Sequence, residues 1–117
     1  MNATLSTLHT VNKSAFGSDA LASCLRVAQP GDAILLLEDG VYNAVRSPVG
    51  ASPAGELLGF NPSPAGQAHT RVRAYALQED LQARGIAVEQ LPAYIEPISY
   101  PDFVTLVCTY ARTVSWF

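Results

Sequence analysis

The chain has 117 residues, 49% of them hydrophobic and only 15% charged, with a formal net charge of -3. That length predicts one domain with one modest core. The acidic balance, with no basic run or arginine-rich stripe, argues against an electrostatic footprint on nucleic acid. Ordinary domains carry about 25% charged residues, so a chain this poor in charge is expected to hide part of its apolar surface against another subunit.

The opening MNATLSTLHT has no basic stretch followed by an apolar run, so it does not read as a signal peptide. No apolar run is long enough to span a bilayer. These features predict a cytoplasmic protein with both cysteines, Cys24 and Cys108, reduced at rest.

Residues 5–11 are mostly β-formers and predict a short first strand, followed by a loop from Asn12 to Ser18. Ser18 is placed to cap the next helix, with Asp19 near its positive end. That helix should run to about Ala28 and stop at Pro30-Gly31. Ala33 to Leu37 is an unbroken apolar run of the kind a strand buried on both faces requires. Asp39 then reads as the cap of a short helix from Gly40 to about Arg46. A hairpin at Asp39-Gly40 is rejected, because the following residues do not alternate as a return strand would.

Residues 47–70 hold four of the eight prolines and four of the eight glycines, with Glu56 as their only charge. Loops of this length inside a compact domain are uncommon. The apolar patch Leu57, Leu58, Phe60 gives the segment something to dock.

Strand character returns at 71–77, followed by a helix from Gln78 to Arg84 with Gly85 as its C′ residue. A fourth strand is expected at Tyr94 to Ile98, and Pro97 marks it as an edge. Ser99-Tyr100-Pro101-Asp102 reads as a capping box opening the last helix. On that helix Phe103, Leu106, Val107 and Tyr110 fall at i, i+3, i+4 and i+7, the spacing of one apolar face. Thr113 to Phe117 should form the closing strand, with Trp116 and Phe117 closing it or lying in an interface. The alternation predicts a single-domain α/β fold: a mainly parallel sheet of about five strands with helices on both faces.

Few residues offer chemistry. A reactive cysteine needs an accessible thiol with a lowered pKa. Leu21, Cys24, Leu25 and Ala28 share one helical stripe, and Cys24 lies about two turns from the helix start, where the dipole's help has faded. Packing is therefore the favoured role for Cys24, with a reactive thiol at the edge of the stripe as the alternative. Cys108 lies beside the apolar face of the last helix and reads as a core or interface residue. No CxxC is present. Ligands of open α/β sheets collect outside the carboxyl ends of the strands. Those ends carry Asn12, Lys13 and Ser14, then Glu38 and Asp39, and Lys13 could hold an anion there. His9 and His69 have no spacing that makes a metal site, and no nucleotide-binding motif or catalytic triad order stands out. No cofactor is expected.

Five blocks carry a resemblance. LHTVNKS (8–14), LASCLRVA (21–28), GDAILLLEDGVY (31–42), YALQEDLQARG (75–85) and ISYPDFVTLV (98–107), with the SWF ending, together resemble the DsrH/TusB family of sulfur-relay subunits. The resemblance covers most of the chain outside 47–70, a segment longer than the family usually shows there. It implies a flavodoxin-like fold of the DsrEFH type. It also implies work inside a heterohexamer, with two copies each of this chain and its DsrE/TusD-like and DsrF/TusC-like sister subunits.

Such a complex passes persulfide sulfur between small carrier proteins, and its principal cysteine belongs to the DsrE/TusD-type subunit. This chain would then be an accessory subunit of a sulfurtransferase complex, with Cys24, a persulfide carrier or a structural residue, at a position where only some members carry a cysteine. Two settings share the machinery: cytoplasmic sulfur oxidation (DsrH-type) and 2-thiouridine synthesis at the tRNA wobble position (TusB-type). The DGVY block and Cys24 lean toward the first. Neither setting implies contact of this chain with nucleic acid or membrane. An alternative of another class is a stand-alone flavodoxin-like domain that binds a small anion or nucleotide at Lys13.

Overall fold

A computed structural model of the chain describes residues 6–15, 17–45 and 72–117. The sequence segment 47–70 lies outside the described residues, as does His69. Among these residues five strands form one sheet: β1 (Thr7–Val11), β2 (Ala33–Leu36), β3 (Arg73–Leu77), β4 (Ile95–Ile98) and β5 (Arg112–Trp116). Their spatial order is β4-β3-β2-β1-β5, and all four pairings are parallel. The chain thus steps outward from β1 to β4, then returns to place β5 on the far side of β1.

That reversal decides where the helices go. Right-handed crossovers put helices on one face while the chain moves one way, and on the other face when it turns back. α1 (Ala20–Val27), a 3-10 segment (Glu38–Ala44) and α2 (Gln78–Ala83) cover one face. Their Leu21, Cys24, Val41 and Leu81 pack on Val11, Ile34, Leu36, Ala74 and Ile95. α3 (Tyr100–Thr109) covers the other face, setting Phe103, Leu106 and Tyr110 on Leu8, Leu35, Tyr75 and Ile98. The expected α/β architecture with helices on both faces is what the structure shows. β2 is buried along its whole length, as its unbroken apolar run requires.

Several local signals act as read. Ser99 and Asp102 form the capping box of α3, Gly85 takes φ +70° after α2 and β4, with Pro97, is an edge strand. The Ser18 hydroxyl accepts the Ala20 N–H at 3.0 Å at the start of α1. Two expectations are corrected. Asp39 does not cap a helix: the 3-10 segment starts two residues earlier than expected, at Glu38 behind Leu37, and the Asp39 carboxylate instead accepts from Arg84 Nε at 3.1 Å. Val107 is not on the sheet-facing side of α3. It is 41% exposed, because the ridge that meets the sheet is Phe103, Leu106 and Tyr110.

Gly40 is placed by a close approach. Any Cβ there would collide with the Val11 carbonyl at the end of β1, so the DGVY block can only turn past β1 with glycine at this position.

Candidate functional site: a buried polar clamp beside an open groove

Cys24 lies in α1, fully buried in the core. Burial, and then the negative charge of Asp32, push its thiol up to about 12. At neutral pH it is a protonated thiol among Leu21, Ile34 and Leu36, with no exposed thiolate to attack or accept sulfur. Cys108 is exposed on α3, so it is not a core residue. Trp116 ends β5, half-buried, and Phe117 follows it at 83% exposure.

The carboxyl ends of the strands carry acid. Asn12 Nδ2 donates to Glu38 Oε1 at 3.3 Å, the Glu38 amide donates to Asp80 Oδ2 at 2.7 Å, and Arg84 bridges Asp39 and Asp80. Lys13 is exposed nearby, and its carbonyl accepts from Asn43 Nδ2 at 3.0 Å. Three carboxylates against Arg84 and Lys13 make a poor seat for an anion. Among the described residues, no cluster of histidine, cysteine or carboxylate groups could hold a metal ion.

The most densely bonded polar constellation among the described residues lies elsewhere, on the α1 face of β1 and β5. Asp32 stands just before β2, and both of its oxygens are engaged. Oδ1 accepts the Thr7 N–H at 3.0 Å; Oδ2 accepts the Gln29 N–H at 3.0 Å and lies 3.0 Å from His9 Nε2. On the other side of the imidazole, Trp116 Nε1 lies 3.0 Å from His9 Nδ1. The indole nitrogen can only donate, so Nδ1 accepts, and Nε2 carries the proton that Asp32 receives. This fixes a neutral Nε2–H tautomer. Burial alone would raise the Asp32 pKa; the N–H donors of Gln29, His9 and Thr7 outweigh it and hold the carboxyl below its usual range.

With both ring nitrogens committed, His9 is not free to act as a general base. The cluster is a clamp that ties β1, the entry to β2 and the end of β5 together. It also forms the floor of an open groove of about 470 Å³, lined along β5 by Arg112, Val114 and Trp116 and on the opposite side by Val27, Gln29 and Pro30. In the sequence His9 stands as an isolated strand residue, and no motif or spacing links it to Asp32 or Trp116. One signal was available. A carboxylate set against the apolar run 33–37 must have a partner, because an unpaired buried charge is costly.

Fold and site together define a small doubly wound parallel α/β protein with a structural polar clamp, a buried thiol and an open groove along one edge strand. A family model described as "DsrH like protein" matches residues 13–54 and 61–113. Protein TusB of Sodalis glossinidius (strain morsitans) is 37% identical over 109 residues, covering 93% of this chain and 99% of that protein. Protein TusB of Shigella dysenteriae serotype 1 (strain Sd197) is 36% identical with the same coverage. Among solved structures, the ychN protein from E. coli superposes with a TM-score of 0.71 at 15% identity, covering 94% of this chain and 97% of that one. MTH1491 from Methanobacterium thermoautotrophicum does so at 0.61 and 17% identity, covering 94% and 96%. These two likenesses concern the fold alone. The chain belongs to the DsrH/TusB family of sulfur-relay subunits. Among the described residues no helix is long and apolar enough to cross a membrane.

Proposed function

We propose that this chain is the TusB-type, non-carrying subunit of a cytoplasmic sulfurtransferase complex that delivers sulfur for 2-thiouridine at the tRNA wobble position. The observation that carries the non-carrying role is Cys24: a fully buried thiol held protonated by its surroundings cannot load and release persulfide without opening the core. Cys24 packs. The reactive cysteine belongs to a sister subunit of the DsrE/TusD type, and the complex is a heterohexamer that also contains a DsrF/TusC-type subunit.

The relatives named TusB, at 36–37% identity over nearly the whole chain, support the tRNA setting over sulfur oxidation, toward which the DGVY block and Cys24 lean. The exposed apolar row Tyr100, Val104 and Val107 on α3 and the exposed Phe117 support life inside an assembly. The acidic carboxyl ends of the strands speak against the alternative of a stand-alone anion-binding domain.

Cells lacking this chain should lose wobble 2-thiouridine, measured by mass spectrometry of digested tRNA. Both the wild-type chain and Cys24→Ala should restore it. Unchanged 2-thiouridine in the deletion removes the tRNA reading. Failure of a folded Cys24→Ala chain to restore it, with a sulfur adduct found on Cys24 in the wild type, makes Cys24 the carrier.

A further inference from the structure

The two edges of the sheet are built differently. β4 carries Pro97, which has no N–H to offer, and the exposed Glu96; both discourage strand addition. β5 has neither a proline nor an acidic residue, and among the described residues it pairs only with β1. The Thr7 N–H is directed to Asp32, on the β2 side, and the Ser6 carbonyl accepts from Ala111, on the β5 side. With Thr7 opposite Arg112, the alternation of a parallel ladder turns the backbone groups of Arg112, Val114 and Trp116 toward β1. Those of Thr113 and Ser115 then face away from the sheet.

The side chains of the same strand line the groove. Arg112, Val114 and Trp116 are every second residue of β5, and together they make one wall. A wall that repeats every second residue of a strand matches the period of an extended polypeptide lying beside it. The floor is the His9–Asp32–Trp116 clamp, in which both imidazole nitrogens and both carboxylate oxygens are engaged. The charge at one end is specific. Arg112 Nη1 rests on Thr7 Oγ1 at 3.1 Å, and among the described residues the guanidinium has no acidic partner within 4.0 Å. Asp32 does not fill that role, because both its oxygens are already engaged by Thr7, Gln29 and His9.

We propose that β5 receives an extended edge segment of a sister subunit as a sixth strand. An acidic side chain of that segment lies opposite Arg112, and an apolar one fills the groove beside Val114 and Trp116. The inference rests on the reading of this chain as a subunit of a complex, and it names the surface that makes the joint. Backbone pairing along β5 supplies affinity, and the groove and Arg112 supply register and choice of partner.

The test uses the full chain, alone and assembled with its sister subunits, followed by amide hydrogen exchange at β5. Assembly should slow exchange at Thr113 and Ser115 about tenfold or more. Ser115→Pro removes an outward N–H, and Arg112→Glu reverses the charge at the groove's end. Each should weaken assembly by about tenfold or more. Should Ser115→Pro fail to fold, Arg112→Glu, at an exposed side chain, still decides. A complex that forms without slowing those two amides, or that tolerates Arg112→Glu, overturns the docking surface and leaves the functional reading standing. No complex with the wild-type chain removes both. Slowing in the lone chain that grows with its concentration means a second copy seats on β5, which also overturns the proposal.

Discussion

Trp116 donates its indole N–H to His9 Nδ1 at 3.0 Å across 107 positions of sequence, and in doing so dictates which nitrogen of the histidine holds the proton. The same imidazole hands that proton's hydrogen bond to Asp32. The chain contains one tryptophan, so its indole resonance is an unambiguous reporter of the contact. Nitrogen-15 NMR of the imidazole should show Nδ1 unprotonated and Nε2 bearing hydrogen at neutral pH. Trp116→Phe should cost about 1 kcal/mol of stability and leave Nδ1 without its donor, shifting the Nδ1 resonance while Asp32 keeps the proton on Nε2; an unchanged Nδ1 resonance in that variant would refute the clamp.

Asp32→Asn should cost more, about 2–4 kcal/mol in a urea titration. The substitution exchanges a two-oxygen acceptor for a group with one acceptor and one donor end, against three N–H donors that need acceptors. A loss below about 0.5 kcal/mol, the range of an ordinary surface change, would show that the three bonds do not hold the strands.

The pH dependence follows with a definite sign. Burial works to raise the Asp32 pKa, but its hydrogen bonds leave it lowered in the folded protein. A depressed carboxyl contributes stability that is fully present above its unfolded pKa of about 3.9. That contribution is lost as pH falls through the lower folded value. The stability gap between the wild type and Asp32→Asn should therefore be constant at mildly acid pH and close in strong acid. A gap that widens on acidification would reverse the assignment.

The two cysteines should separate under alkylation of the native protein at pH 8. Cys108 is exposed and should react first; Cys24, buried with its thiol pushed up to about 12, should react about a hundredfold more slowly or not at all until denaturant is added. Peptide mass spectrometry reads both sites at once, and equal labelling would show that α1 opens freely.

Gly40→Ala should destabilise by about 2–3 kcal/mol, because the new methyl group meets the Val11 backbone carbonyl and not a yielding side chain. A thermal melt within a degree of wild type would mean that the turn after β2 shifts without cost.

Much of the fold is legible in local chemistry. The apolar run 33–37 predicted a strand buried on both faces, Ser99 and Asp102 announced the start of α3, and Pro97 announced an edge. Cys24 was placed on its packing stripe by spacing alone. The clamp was not legible, because its partners come from three separate stretches: His9 is 23 positions from Asp32 and 107 from Trp116. Only the order of the strands brings them together, and no periodicity encodes that order. Asp39 misled for a related reason. The point where the chain leaves β2 places Asp39 inside the first turn of the 3-10 segment, and its carboxylate meets Arg84, 45 positions away.

The placement of β5 beside β1 has a kinetic side. Those neighbours are separated by about a hundred residues of chain, and closing so large a loop costs entropy before the pairing returns anything. β1 to β4 can assemble through nearer contacts, leaving β1 with a bare outer edge until Arg112–Trp116 arrives. Refolding from urea should therefore be slow for a protein of this size, and the interval before β5 docks is when the chain is most open to sticking to its own kind.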